Sequence, residues 1–291
     1  MTAHDTARLM RLATWVSMAV ALILIGAKAV AWLVTDSVSM LSSLIDSALD
    51  FVASVVTFIA VRQALVPADS DHRFGHGKAE ALAGLAQAGF ITASGGGLLL
   101  TVADRILNPH AVQQEMVGVA VSGLSILLTL ALVAFQSHVV RRTGSLAIGA
   151  DRLHYKTDLV TNIAVGTALF ISGYAKQPLI DAGMAAAVAI YMLVGAWQVG
   201  REALDVLMDR ELPDADRARI KALATAHAAV HDLHELRTRS AGLTKFIQFH
   251  VALEPGLSLA RAHEIGEEIE ASIQREFPDA EIILHVDPAG V

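Results

Sequence analysis

The sequence predicts a polytopic α-helical membrane protein, with six transmembrane helices followed by a small cytoplasmic α/β domain. Three observations carry that prediction. First, 54% of the 291 residues are hydrophobic, only 18% are charged and the mean hydropathy is +0.52, whereas soluble domains carry about a quarter charged residues. Second, the apolar residues are gathered into six runs of about 20, each long enough to cross a hydrocarbon core about 30 Å thick. Third, the composition changes after Asp209, because residues 210–291 hold 9 of the 22 Lys and Arg and 14 of the 29 Asp and Glu. These features exclude a disordered chain, a disulfide scaffold and a simple cytosolic domain. The absence of cysteine removes thiolate metal sites and thiol catalysis. A net charge of −7 without a Lys/Arg cluster leaves no electrostatic footprint for nucleic acid.

In order, the runs are Leu12 to Val34, Val38 to Val61, Ala81 to Ala103, Met116 to Gln136, Leu146 to Ser172 and Leu179 to Gly200. Each is expected to cross as a helix, because lipid offers no partner to an open backbone group and no alternation marks a barrel. No small-residue cleavage site follows the first run, so it reads as a retained span. Arg8, Arg11, Arg62, Arg73, Lys78, Arg141 and Arg142 fall on the side of both termini, against Arg105 and Lys176 on the other. By the positive-inside rule the termini are cytoplasmic. The fifth run is irregular, since its clean stretch begins near Leu159, after Asp151, Arg152, His154, Lys156 and Asp158. Either that helix starts late or it carries polar groups toward a watery cavity. Lys28 in the first span is expected to snorkel or to pair within the bundle, Gly95 to Gly97 to allow close packing, and Asp181 to cap the sixth span.

Beyond the membrane domain, residues 1–209, the tail of residues 210–291 has its own pattern. Pro213 to Ala228 reads as a polar helix, Asp232 to Arg239 and Thr244 to Leu253 as strands about a turn at Gly242, Ser258 to Phe277 as a helix capped by Ser258, and Ala280 to Val286 as a third strand. The α-β-β-α-β order suggests an open-faced, metallochaperone-like sandwich.

Ionisable residues stand where lipid disfavours them. Asp46 and Asp50 lie in the second span, His154 and Asp158 in the fifth, and i, i+4 spacing puts each pair on one helix face. An Asp at a helix centre costs about 2.5–3.5 kcal/mol, so three of them approach about 10 kcal/mol unless compensated. A dication would compensate, and three carboxylates with one imidazole make a tetrahedral set suited to Zn²⁺. The competing reading is interhelical hydrogen bonding or a proton path without metal. The loop between the second and third spans places Asp69, Asp71, His72 and His76 within eight residues, which suits either a weak peripheral cation site or a solvated turn. The tail holds six histidines, His227, His231, His234, His250, His263 and His285, with Asp287 beside the last. If the strands pair as expected, several converge on a folded metal site with ligands enough for two ions; otherwise they are scattered surface groups.

Together the segments SMLSSLIDSALD, DHRFGHGKAEAL, DRLHYKTDLVTN, HELRTR, FIQFH and HVDP resemble the cation diffusion facilitator family over essentially the whole chain, and look closest to its bacterial zinc transporters. The resemblance implies a transport site of Asp46, Asp50, His154 and Asp158, a loop site of Asp69, His72 and His76, and a cytoplasmic binuclear site of His234, His250, His263, His285 and Asp287. It further implies that Lys78 pairs with Asp209, that the protein is a homodimer in the lipid of a bacterial inner membrane, and that protons are the counter-ion. The expected function is Zn²⁺/H⁺ antiport out of the cytoplasm by alternating access, with Fe²⁺, Cd²⁺ or Mn²⁺ as other cargoes. Two other classes fit less well. An intramembrane hydrolase would need an HExxH helix or a positioned Ser or Cys nucleophile, and a membrane-tethered metal sensor would need an output module.

Overall fold

The computed structural model describes residues 3–36, 38–107, 116–175 and 178–290, apart from the side chains of residues 3, 38, 39, 105, 106, 116–119, 165, 166, 168–175 and 178–182. The side chains of Arg105 and Asp181, and all of Lys176, therefore lie outside the described residues. The chain forms two compact units, Met1–Pro67 with Ala79–Leu204, and Ala68–Lys78 with Asp205–Val291. The short segment Ala68–Lys78 thus falls with the tail.

The first unit is built from six long helices: α1 (Ala3–Thr35), α2 (Val38–Ala64), α3 (Ala79–Leu107), α4 (Met116–Thr143), α5 (Leu146–Ala175) and α6 (Pro178–Leu207). With 27–33 residues each, they are about 40–50 Å long. Among the described residues, five of them carry a stretch long and apolar enough to cross a membrane, namely α1, α2, α3, α4 and α6. Small side chains fill the interior, including Ala13, Ala53, Ala147, Ser17, Ser54 and Thr57, while Leu33, Leu100 and Trp197 face outward. This is the pattern expected where lipid is as apolar as leucine and helices meet through small residues. Of Gly95 to Gly97, only Gly95 would meet a neighbour through a Cβ, namely Leu193 and Met192 on α6.

The apolarity of α5 is interrupted, yet it is helical from Leu146 onward. Gly144, with φ +67°, ends α4 and bonds back to the Val140 carbonyl at 2.8 Å, a left-handed stop that glycine adopts without strain. Ser145 then caps α5 by accepting from the Ile148 N–H at 3.3 Å. Its hydroxyl donates to Glu80 Oε2, which also accepts from the Ala147 N–H at 3.3 Å. The polar half of the fifth run therefore enters as helix.

In the second unit α7 (Asp214–Thr225), β1 (Val230–Ala241), β2 (Thr244–Leu253), α8 (Leu259–Glu276) and β3 (Ala280–Pro288) form a sandwich. The sheet order is β1-β2-β3, with β1 and β2 antiparallel and β2 and β3 parallel across α8. The α7 helix stops before the predicted Ala228, because the His227 carbonyl and ring take the Val230 and Ala229 N–H groups at 3.0 and 3.2 Å. Ser258 caps α8 by accepting from the Arg261 N–H at 3.3 Å. Ile247, Phe249, Val251 and Leu253 of β2 meet Ile265, Ile269 and Ile273 of α8 and Ile220 of α7 in one core. Burying each such side chain contributes about 1.5–3 kcal/mol. Strand alternation leaves the opposite face free of helix: Asp232, His234, Arg237 and Arg239 on β1, paired directly or in line with Phe246, Gln248, His250 and Ala252 on β2, and Glu281, Ile283, His285 and Asp287 on β3. His234 and Arg237 share that face, despite their odd separation, because a bulge lies between them and Glu235 takes φ +49° within it.

Candidate metal centres

Among the described residues, three groups of His and Asp bring ligand atoms within 4.8 Å of one another. The first is intramembrane and comprises Asp50, His154 and Asp158. His154 Nε2 lies 3.0 Å from Asp50 Oδ1 and 3.7 Å from Asp158 Oδ2. Ligands 2.0–2.1 Å from a tetrahedral zinc are separated by about 3.3–3.4 Å, so small movements would seat the ion. Asp158 Oδ2 is buried without a hydrogen-bond partner, and an unserved carboxylate lone pair inside a bundle is what a cation satisfies. Asp46 stands one turn before Asp50 on α2 at an exposed position and is outside this group. On the same helix, Ser47 Oγ and the Ser43 carbonyl accept from Lys28 of α1 at 2.6 and 3.1 Å, which is pairing within the bundle and not snorkelling.

One turn before His154, Asp151 is fully buried at 1% exposure. Its Oδ2 accepts from Gln136 Nε2 at 2.7 Å and Ser17 Oγ at 2.9 Å. Its Oδ1 accepts at longer range from Gln87 Nε2 at 3.4 Å and Ser54 Oγ at 3.5 Å. Ser54 also shares a 2.8 Å bond with the Tyr155 hydroxyl. Sequence reasoning placed Asp151 in the polar half of the fifth run and assigned it nothing further. A signal was available: Gln87 and Gln136 are amides inside apolar spans, and amides there need partners.

The second group is Asp69, His72 and His76, in the segment before α3. Asp69 Oδ1 accepts from the His72 and Asp71 N–H groups at 2.6 and 2.9 Å. The His72 N–H bond chiefly holds this carboxyl below the usual carboxylate range. Oδ2 is left to face His76 Nε2 at 3.4 Å, and His76 Nδ1 is buried without a partner. Asp71 contributes its backbone N–H to this turn and His72 is open to solvent. The segment is seated by Gly77, where a Cβ would come within 2.1 Å of the Ala241 carbonyl oxygen. Beside it the Arg239 guanidinium packs against both Phe74 and Phe246, 4.7 Å from each ring, while the two rings meet edge to face at 5.6 Å. Asp209, with φ +58°, receives Lys78 Nζ at 2.9 Å and Arg239 Nη1 at 3.1 Å.

The third group, His234, His250 and Asp287, spans all three strands. His250 pairs with His234 across one ladder and with His285 across the other, so the three imidazoles form a row with ring centroids 5.4 and 4.8 Å apart. Asp287 is common to them: its carboxylate is 2.8 Å from His250 Nδ1, 3.3 Å from His234 Nε2 and 3.3 Å from His285 Nε2. The His250 bond above all keeps its carboxyl below the ordinary range. His285 touches Asp287 without joining the tight group, and His263 faces Glu267 on α8 at 3.4 Å. His231 and Asp232 line the same cavity, with Asp232 Oδ2 3.7 Å from His234 Nδ1.

Residues 14–208 match the family model described as the cation efflux transmembrane domain, and residues 212–289 the one described as the cation efflux protein, cytoplasmic domain. The chain is 47% identical over 281 residues to the cation-efflux pump FieF of Shewanella oneidensis, covering 97% of this chain and 95% of that protein. It is 45% identical over 275 residues to the cation-efflux pump FieF of Klebsiella pneumoniae, covering 94% and 91%. Among solved structures, the metal-bound C-terminal domain of the CzcD transporter from Thermotoga maritima is 27% identical, with a TM-score of 0.26 over 26% of this chain and 91% of that one.

Proposed function

The chain belongs to the cation efflux, or cation diffusion facilitator, family of divalent-metal transporters, and from that premise we propose that it exports Zn²⁺ from the cytoplasm of a bacterium in exchange for protons, as a homodimer in the inner membrane with both termini cytoplasmic. It is a transporter and not an enzyme. The observation that carries the reading is the group of two carboxylates and one imidazole, Asp50, His154 and Asp158, held together among apolar helices. Nitrogen beside oxygen suits zinc better than an all-oxygen cage does. Asp46, one turn away on α2, completes the set on closure. Carboxylate and imidazole bind a cation only when deprotonated, so metal and protons compete for the same atoms. Exposing α2 and α5 to one side and then the other converts that competition into exchange.

In this reading Asp69, His72 and His76 form a weaker loop site. His234, His250, His285 and Asp287, with His263, bind regulatory zinc in the cytoplasmic domain. Zinc flux into proteoliposomes under an imposed pH gradient, with Fe²⁺, Cd²⁺ and Mn²⁺ as competitors, tests the proposal. Zinc uptake that accelerates with the gradient and acidifies the outer medium is expected. Flux indifferent to the gradient removes the proton coupling, and preference for another metal removes zinc.

A further inference from the structure

We propose that Asp151 is a positioning residue that sets the rotation of α5, and so brings His154 and Asp158 to meet Asp50. The inference rests on the reading of those three residues as the transport cluster.

Asp151, Arg152, Lys156 and Asp158 interrupt the apolar pattern in the first half of α5. Lipid contact alone therefore gives that half a weak rotational preference. The hydrogen bonds of Asp151 supply one. Four other helices reach a single carboxylate: α1 through Ser17, α2 through Ser54, α3 through Gln87 and α4 through Gln136. All five side chains are at most 1% exposed. The two short bonds both go to Oδ2, so α1 and α4 hold α5 more tightly than α2 and α3 do. On the α2 side, Ser54 lies one turn beyond Asp50 and also bonds to Tyr155, the neighbour of His154.

Asp151 and His154 are three residues apart, which is about 4.5 Å along the helix and about 60° around it. A ligand atom some 5–6 Å from the helix axis moves about 1 Å for each 10° of rotation. Metal–ligand distances tolerate only about 0.2 Å. A small loss of rotational control one turn away is therefore enough to spoil the cluster. Asp151 is unsuited to hold the ion itself, because its better-placed oxygen already accepts two short bonds.

Asp151→Asn keeps the shape but points an N–H₂ group at donors, and is compared with Asp50→Ala as control. Zinc and cadmium fluxes are measured side by side in proteoliposomes, with melting midpoints recorded for each purified variant. The expected result for Asp151→Asn is a loss of zinc affinity of about 10–100-fold, the usual effect of removing a partner that orients a ligand. It should come with a lower zinc-to-cadmium ratio, because a slack site discriminates less by geometry. Gln136→Ala and Ser17→Ala each remove one donor and should give intermediate losses with the same change of ratio, which keeps the test open if Asp151→Asn does not fold. Wild-type flux, or equal loss for both metals at an unchanged ratio, overturns the positioning role. If Asp50→Ala itself transports zinc normally, it is the transport-cluster reading that fails.

Discussion

Gly77→Ala is expected to unseat the segment that carries Asp69, His72 and His76. An added Cβ would stand 2.1 Å from the Ala241 carbonyl oxygen, 2.5 Å from its carbon and 2.9 Å from the Gly242 nitrogen. Carbon and oxygen meet no closer than about 3.3 Å, so the backbones must part by about 1.2 Å. The obstacle is main chain in the β1–β2 turn, where Gly242 already holds φ +60°, and so no rotamer change relieves it. Overpacking of this kind costs about 1–3 kcal/mol. Because Lys78 follows directly, its 2.9 Å pair with Asp209 and its 3.3 Å bond to the Leu207 carbonyl should go as well. The assay is a melting curve of the purified transporter, together with zinc titration of a variant in which Asp50→Ala has silenced the membrane cluster. Gly97→Ala, at a helical position with open space around it, serves as control and should melt like the parent. If Gly77→Ala also melts within a degree of the parent and binds the same zinc, the segment is not held by this contact.

Four other outcomes are expected. Asp50→Ala or Asp158→Ala should abolish zinc flux while leaving a folded protein, and Asp46→Ala should cost less because Asp46 lies outside the tight group; equal losses at Asp46 and Asp50 would give Asp46 a full share in the site. Reversing the charge at Lys78 or at Asp209 should impair transport, and reversing both should restore it, with failure of rescue in flux assays counting against the pair. Partial burial pushes the Asp209 carboxyl up, but the bonds from Lys78 and Arg239 prevail and hold it low. Its stabilisation is thus complete above the unfolded carboxylate value of about 3.9 and is lost only as pH falls through the lower folded value. The melting difference between the parent and Asp209→Asn should accordingly stay constant from pH 5 to 8. Asp287→Ala should weaken zinc binding by the cytoplasmic cluster more than His263→Ala does, as read by titration of the full chain in the Asp50→Ala background; the reverse order would move the centre of that site to α8.

Much of this was legible in the sequence because it depends on spacing. An i, i+4 pair shares a helix face whatever surrounds it, so the alignment of His154 with Asp158 followed from counting. The six long helices and the α-β-β-α-β order followed from runs and alternation. Partners distant in sequence were not legible by the same means. Asp151 finds Ser17 across 134 residues and Gln87 across 64, and no local period links them. The continuous helix at the start of α5 depends on Glu80, another distant residue, serving the Ser145 hydroxyl and the Ala147 N–H. Nor could spacing show that Asp287 touches three histidines, since that requires the parallel register of β2 and β3.

The bulge in β1 puts the histidine row and Arg239 under a common phase. From Arg237 onward the strand continues in the alternation that sends Arg239 to the same side as His234, and the irregularity at Glu235 is what reconciles the two. Straightening the strand there without shortening it would leave every one of these side chains in place in the sequence, yet would turn one of the two sets toward the helices. A homologue can therefore preserve the full inventory of histidines and aspartates and still lack the capacity to use it, if its strand keeps that length but runs straight where this one bulges.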